Sequence, residues 1–193
     1  MSISNFFALT SRMKYISRWG LMRNLRYENI AEHSLDTAIL AHLLCELRNV
    51  RFGGNVDPSK AVLYAVFHDV PEIITGDLPT PVKYSNPAIS EAYKQVEADA
   101  VETLLKGVPE DLRGKYAEIF DEENDLEVRK LVKAADKISA LIKCLEERAS
   151  GNTDFIEAER ATLESLKAMN LPEVDVFIAE FLPAYSLTLD EQT

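Results

Sequence analysis

Apolar residues recur at intervals of three and four positions along nearly the whole chain of 193 residues, with no convincing strand-like alternation. This spacing places apolar side chains on one face of a helix, whereas a half-buried strand would need a period of two. The chain is therefore predicted to be all-α. It contains no internal repeat, low-complexity tract or long linker, so residues 1–193 are predicted to form one domain, with a C-terminal tail from about 186.

Capping and breaking residues divide this pattern into helices. Asn29, Asp57 and Asn86 are typical N-caps, and the last two precede a proline that suits a first helical turn. Residues 76–87 are rich in proline and cannot be one continuous helix. The predicted helices span about 4–18, 29–50, 57–75 with a disturbance at Pro71, 86–106, 109–120, 125–149, 154–169 and 173–182.

The net charge of -11 argues against nucleic-acid polymers as partners, because their binding depends on neutralising many phosphates. Residues 1–30 are an exception, with five cationic side chains and one carboxylate. A basic zone of this size fits a small anionic ligand, although an ordinary solvated helix face is an alternative interpretation.

The chain shows no membrane segment or secretory signal pattern, because its longest apolar runs are far below the ~20 residues that a membrane span needs. Cys45 and Cys144 belong to no CxxC pair and are interpreted as reduced thiols packed in helices. We therefore expect a cytoplasmic protein.

His68 and Asp69 stand side by side at the end of the apolar stretch 61–67. Such a pair is costly to bury unless each side chain has a partner. A metal ion would satisfy both, since neutral imidazole and carboxylate oxygen are compatible ligands. The alternative is a capped helix end. Glu72 follows at helical spacing, which indicates a general acid or base beside the ion or, alternatively, a surface glutamate.

Asp136 lies on or beside the apolar stripe of its helix, which includes Val128, Val132, Ala135, Ser139 and Ile142. A carboxylate held there must pair, become protonated or bind a cation. The alternative is a buried ion pair with an arginine such as Arg18 or Arg23.

His33 and His42 lie on one predicted helix, nine residues apart. Nine steps of ~100° place them on opposite faces and ~13 Å apart along the axis, so both cannot reach one ion. His33 is the candidate ligand, and His42, among apolar neighbours, is interpreted as a hydrogen-bonded core histidine.

The order His33, His68-Asp69 and Asp136 resembles the signature of the HD-domain metal-dependent phosphohydrolases. Further segments are similar to the HD-domain 5′-deoxynucleotidases of the YfbR type: 17–26, 28–34, 68–72, 75–84, 133–136 and 143–147. The resemblance implies a helical HD-domain bundle that acts as a cytoplasmic homodimer. Its implied reaction is hydrolysis of 2′-deoxyribonucleoside 5′-monophosphates with a divalent ion such as Co²⁺ or Mn²⁺.

The resemblance also implies roles for individual residues. Arg18 would orient the phosphate, Trp19 would contact the nucleotide, and Glu72 would be the acid or base. The sugar would meet Asp77, Leu78, Pro79 and Thr80, and Asp77 would separate deoxyribose from ribose. Taken alone, Trp19 would be a packing residue and Asp77 a turn residue. The metal ligands would be His33, His68, Asp69 and Asp136, of which all but His68 would also face the substrate.

Two histidines and two carboxylates form a mixed nitrogen and oxygen site, and we expect one ion per subunit because dinuclear HD enzymes generally use more histidines. Two alternatives remain. An HD phosphohydrolase acting on nucleoside triphosphates or alarmones would need more cations than residues 12–26 and Lys83 supply. In a non-catalytic, metal-stabilised helical binding protein, Arg18, Glu72 and Asp77 would have no duty.

Overall fold

The computed structural model describes residues 3–83 and 85–193, so Tyr84, which ends the segment 75–84, lies outside the described residues. Within the described chain, β-structure is limited to an isolated antiparallel bridge between Ser17 and Asn29. The prediction of an all-α protein is therefore confirmed. The α-helices are α1 (Phe6–Thr10), α2 (Ile30–Phe52), α3 (Pro58–Phe67), α4 (Glu72–Thr75), α5 (Thr80–Lys83), α6 (Pro87–Lys106), α7 (Glu110–Phe120), α8 (Leu126–Ala149), α9 (Ile156–Ala168), α10 (Pro172–Val176) and α11 (Leu189–Gln192). Turns of 3₁₀-helix cover Ser11–Tyr15, Thr153–Phe155 and Leu182–Ser186, and a π-helical turn covers Phe177–Phe181.

The starts of α2, α3 and α6 follow the predicted caps. Asn29 Oδ1 accepts hydrogen bonds from the N–H groups two and three residues later, at 3.0 and 3.1 Å. Asp57 and Asn86 cap α3 and α6, each with proline in the first turn. These side chains supply acceptors to N–H groups that have no partner within the helix. Gly53, at φ 68°, ends α2 in the left-handed conformation that glycine adopts without a steric penalty.

The predicted helix over 4–18 is wrong in its second half. Only Phe6–Thr10 is α-helical, the 3₁₀ turn ends at Tyr15, and Ile16 is extended at φ -95° and ψ 109°. The reason is non-local, because the N–H of Arg18 donates to the carbonyl of Glu28 at 3.0 Å. Residues 16–18 thus pair with the segment that leads into α2, and Arg18 lies in a loop.

The prediction that His42 is a core histidine is also wrong. Its side chain is 53% exposed and lies 3.8 Å from Glu46 on the outer face of α2. That face also exposes Leu35 and Ile39. Because α2 carries apolar side chains toward solvent as well as toward the core, apolar neighbours in the sequence did not indicate burial here.

Buried apolar side chains of the described residues form two clusters. The larger lies where α2 packs against α3 and α8, and includes Leu44, Leu131 and Ile138. The smaller joins α1 to the end of α6 through Phe6 and Leu104, and it includes Ile30 at the start of α2 and Val70 after α3. His33 lies three residues after Ile30, and Asp69 directly precedes Val70, so both are close in the sequence to residues of the smaller cluster. None of the helices in the described ranges has the length and apolar character to span a bilayer.

Candidate functional site

Three helical segments bring the predicted metal-binding side chains together. His33 comes from the first turns of α2, His68 and Asp69 from the turn after α3, and Asp136 from the middle of α8. One ligand atom each from His33, His68 and Asp136 lies within 4.8 Å of the other two. Asp69 joins them, since its Oδ2 lies 3.6 Å from His33 Nε2 and its Oδ1 lies 3.1 Å from His68 Nε2. Such a group can coordinate one cation.

The hydrogen bonding of His68 fits a metal ligand. Its Nδ1 lies 2.7 Å from the carbonyl oxygen of Ala65, which can only accept, so Nδ1 carries the hydrogen. In the neutral ring Nε2 then carries the lone pair, and this atom is buried and has no hydrogen-bond partner among the described residues. It faces an oxygen of Asp69, which also carries lone pairs. Two acceptors facing each other are stabilised by a cation between them, so the donor set fits a divalent ion.

His33 is fully buried and oriented from both ring nitrogens. Its Nδ1 lies 3.0 Å from the hydroxyl of Ser139, and its Nε2 lies 3.1 Å from Asp136 Oδ1. Burial alone would raise the pKa of Asp136, but Lys133 and His33 outweigh it and hold the pKa well below its ordinary value. Asp136 is thus ready to act as an anionic ligand.

The arginine partners considered for Asp136 form ion pairs elsewhere. Arg18 pairs with Glu28 at 2.6 Å, and Arg23 lies 3.5 Å from Asp154. Among the described residues, Lys133 instead forms an ion pair with Asp136, with Nζ 2.7 Å from Oδ2.

Glu72 begins α4, one residue after the proline that interrupts the helix. Its Oε2 is buried and makes no hydrogen bond with the described residues. Burial raises the pKa of Glu72 to about 9, and the negative charges of Asp69 and Asp77 act in the same direction. A carboxyl group in this position can hold a proton at neutral pH and deliver it.

The loop 16–29 brings Arg18 and Trp19 beside this cluster. Arg18 is largely buried, and burial by itself lowers the pKa of its guanidinium. The carboxylates of Glu28, Asp69 and Asp136 outweigh that effect and raise the pKa, so the cation is firmly maintained. Arg18 therefore places a permanent positive charge beside the carboxylates of the cluster.

Trp19 has an uncommon backbone conformation, with φ 60°. Its N–H donates to Asp77 Oδ2 at 3.2 Å, and its carbonyl accepts from Asn24 at 3.2 Å. Its ring packs against Phe155, with centroids 5.3 Å apart. Burial raises the pKa of Asp77, partly offset by Arg18. Leu78 and Pro79 follow half-buried, and Thr80 is exposed at the start of α5.

A cleft of about 750 Å³ opens onto the cluster. His68, Asp69, Glu72 and Asp136 line one part of it. Its volume lies within the range typical of small-molecule sites. The remaining wall comes from α3, α5, α6, α7 and α8, with cationic side chains at Lys83, Lys94, Arg129 and Lys133.

Sequence reasoning did not identify three residues that shape this site: Glu28, Ser139 and Phe155. Glu28 could have been noticed as the one carboxylate among the cations of residues 1–30. Ser139 stood in the apolar stripe of α8, but nothing local indicated its contact with His33. Phe155 had no signal, because its contact with Trp19 joins distant parts of the chain.

Comparison with solved structures places the fold among HD-domain proteins. An HD-domain phosphohydrolase from Listeria innocua has a TM-score of 0.85 and 24% identity, covering 100% of this chain and 94% of that one. A cyanophage S-2L HD phosphohydrolase, described as bound to dA and one catalytic Zn²⁺ ion, has a TM-score of 0.69 and 24% identity. That match covers 94% of this chain and 97% of the phage protein.

Sequence comparison identifies the branch. A 5′-deoxynucleotidase of Erwinia tasmaniensis is 47% identical, covering 97% of this chain and 96% of its own length. One of Yersinia pestis is 46% identical, with 98% and 96% covered. The family described as 5′-deoxynucleotidase YfbR-like matches residues 5–185. The fold is that of an HD-domain protein, and the chain belongs to the YfbR-like 5′-deoxynucleotidase family.

Proposed function

We propose that this protein hydrolyses 2′-deoxyribonucleoside 5′-monophosphates to deoxynucleosides and phosphate with one bound divalent cation, Co²⁺ or Mn²⁺. The observation that carries the proposal is the convergence of His33, His68 and Asp136 within 4.8 Å. The relatives named 5′-deoxynucleotidase support the substrate class, because they are 46–47% identical over nearly the whole chain.

The metal ligands in this proposal are His33, His68, Asp69 and Asp136. A bound divalent cation would lower the pKa of a coordinated water and neutralise negative charge on the phosphoryl oxygens. Ser139 and the carbonyl of Ala65 orient the two imidazoles, and such outer contacts support metal affinity.

The other side chains bind and protonate the substrate. Arg18 holds the phosphate, since a planar guanidinium can grip two phosphate oxygens at once. Glu72 protonates the departing 5′-oxygen or takes a proton from the attacking water. The high pKa of Glu72 supports the first role, although a bound cation would lower that pKa.

Preference for deoxyribose arises from exclusion in this proposal. Trp19 packs along the nucleoside, and Asp77 lies close to the sugar with Leu78, Pro79 and Thr80 beside it. The carboxylate of Asp77 is fixed by the N–H of Trp19, so it cannot move freely away from a 2′-hydroxyl. Rejection by a few kcal/mol would give marked selectivity, because each ~1.4 kcal/mol is a factor of ten.

We also propose that residues 1–193 act as one domain, with a tail from about 186, and that two copies form a homodimer in the cytoplasm. Leu35, Ile39 and Val50 on α2 expose apolar side chains to water. Their poor solvation supports the proposed association of two copies.

A substrate panel tests the reaction. Purified protein is assayed for phosphate release from ribo- and deoxyribonucleoside monophosphates with Co²⁺, Mn²⁺, Mg²⁺ or EDTA. We expect turnover of dAMP with Co²⁺ or Mn²⁺, none with EDTA, and slower turnover of AMP. Equal turnover of AMP and dAMP would contradict the proposed preference for deoxyribose. Pyrophosphate or triphosphate released from nucleoside triphosphates, without phosphate from dAMP, would favour the triphosphate alternative.

Metal content is tested separately from activity. We expect one ion per chain in wild type by elemental analysis and less than one in His68→Ala, because the variant lacks the Nε2 donor. A matched control is His42→Ala, which removes an exposed histidine from α2 and should leave the metal content unchanged. Equal metal content in wild type and His68→Ala would contradict the proposed ligand set.

A further inference from the structure

Glu28 is a nearly buried carboxylate near the end of the loop 16–29, with 7% of its surface exposed. A single oxygen, Oε2, accepts two hydrogen bonds. One comes from Arg18 Nη1 at 2.6 Å and the other from Trp19 Nε1 at 3.1 Å. Arg18 and Trp19 are adjacent in a bend of the loop, where Trp19 has φ 60°. Both side chains donate to the same oxygen of Glu28.

Two backbone hydrogen bonds hold the segment around Glu28 independently of its side chain. The N–H of Arg18 donates to the carbonyl of Glu28, and the N–H of Ile30 donates to the carbonyl of Ile16, both at 3.0 Å. Glu28 therefore lies opposite Arg18 and immediately before the cap of α2. Trp19 needs such support, because φ 60° is unfavourable for a residue with a large side chain.

We propose that Glu28 is the positioning residue that sets Arg18 and Trp19 as one unit, so that the group holding the phosphate and the ring beside the nucleoside keep a fixed relation. This inference rests on the proposed function. The guanidinium has five donors, and the bond to Glu28 uses one on Nη1, which leaves Nη2 and Nε for a phosphate. Glu28 acts through these two residues and touches no reacting atom.

A different role for Glu28 predicts the opposite result. If Glu28 were only a counter-charge, its removal would leave Arg18 more attractive to a dianionic phosphate, and substrate would bind more tightly. If Glu28 positions the pair, its removal frees both side chains and substrate binds more weakly. The sign of the change therefore decides between the two roles.

Two substitutions separate charge from geometry. Glu28→Ala removes the shared acceptor, whereas Glu28→Gln keeps an oxygen that can accept both bonds without the charge. For Glu28→Ala we expect KM for dAMP to rise on the order of tenfold or more, with a smaller change in kcat. Glu28→Gln should lie between wild type and Glu28→Ala, because neutral hydrogen bonds are weaker than charge-assisted ones. Glu46→Gln changes a half-buried glutamate on α2 that lies outside the site; it is the control and should match wild type.

Fluorescence gives a readout that needs no turnover, because Trp19 is the chain's one tryptophan. We expect Glu28→Ala to shift the emission of the unliganded protein to longer wavelength as the indole loses its partner and becomes more solvated. Glu28→Gln should shift less, and Glu46→Gln not at all. Metal content should stay at the wild-type value in all three.

A double-mutant cycle shows whether the effect passes through Arg18. In an Arg18→Ala background, the added change Glu28→Gln should raise KM much less than it does in wild type. The inference is overturned if KM falls or stays unchanged in both single variants, if the emission spectra are identical, or if the two effects are additive. These outcomes presuppose a wild-type protein that turns over dAMP, whereas its failure to do so would count against the proposed function alone. If Glu28→Ala does not fold, the KM and emission of Glu28→Gln and the double-mutant cycle with Arg18→Ala still test the positioning role.

Discussion

A buried ion pair beneath the loop 16–29 leads to the most quantitative prediction. Glu147 and Lys143, one turn apart on α8, form a salt bridge with side chains only 1% and 3% exposed. Glu147 also accepts hydrogen bonds from the N–H groups of Leu25 and Arg26, at 2.9 and 3.1 Å, and from Asn152 at 2.7 Å. One carboxylate thus ties the loop that carries the proposed substrate-binding residues to the end of α8.

Replacement of this carboxylate should be strongly destabilising. Glu147→Ala would leave the cation of Lys143 buried without its counter-charge and two backbone N–H groups without an acceptor. Breaking a buried pair in this way lowers the free energy of unfolding by roughly 3–5 kcal/mol. Glu157→Ala is the matched control, because the side chains of Glu157 and Arg160 are 73% and 58% exposed. An exposed pair contributes about 0–1 kcal/mol.

The same group gives the stability a defined pH dependence. Burial by itself raises the pKa of Glu147, but its hydrogen bonds with Lys143, Asn152 and the loop outweigh it and lower the pKa to about 2, from 4.5. The lowered pKa means that the folded protein favours the ionised form, which contributes about 3 kcal/mol at neutral pH. This contribution is complete above the unfolded value of 4.5 and is lost as the pH falls toward about 2.

Urea denaturation at a series of pH values measures both effects. At pH 7 we expect Glu147→Ala to be less stable than wild type by the amount above. The difference between wild type and Glu147→Gln should narrow as the pH falls from 4.5 to 2, since only wild type gains a proton at this position. A loss below about 1 kcal/mol at pH 7, equal to that of the surface control, would refute the reasoning. So would a difference that does not depend on pH.

Three further predictions concern single sites. Glu72→Gln should lower kcat on the order of 100-fold or more while the metal content stays unchanged, because the variant lacks a transferable proton; steady-state kinetics with elemental analysis checks this, and an unchanged kcat would contradict it. Asn29→Ala should lower the free energy of unfolding by about 1 kcal/mol through loss of the α2 cap, measured by urea denaturation, and a change near zero would argue against the cap. Cys45 and Cys144 are fully buried, and burial raises the pKa of both thiols to about 12. Native protein should therefore resist iodoacetamide at pH 8, whereas both thiols should react in urea, and rapid labelling of the native protein would show that the core opens.

Much of the helical framework could be predicted from local sequence. The caps at Asn29, Asp57 and Asn86 and the periodicity of α8 depend on residues within a few positions of one another, so a single sequence contains the required information. The candidate metal cluster was also accessible, because His68 and Asp136 are residue types that are costly to bury without a partner.

The loop 16–29 could not be predicted in the same way. Its conformation depends on contacts with residues more than 100 positions away, such as the hydrogen bond between Leu25 and Glu147. Helical periodicity therefore extended the first helix through a segment whose N–H groups pair elsewhere. The misplacement of His42 has a related cause, because local hydrophobicity does not distinguish a core-facing position from an apolar residue such as Ile39 on the outer face.

Helix α8 gives the site a built-in spacing. Asp136 and Glu147 are eleven residues apart on it, which corresponds to ~17 Å along the helix axis. Deleting one residue between them would rotate one end of the helix by ~100° relative to the other. Asp136 could then no longer face the metal cluster while Glu147 faces the loop. The length of α8 between Asp136 and Glu147 is thus constrained. The exposed connection between α7 and α8 could accept insertions without changing the distance between these two residues.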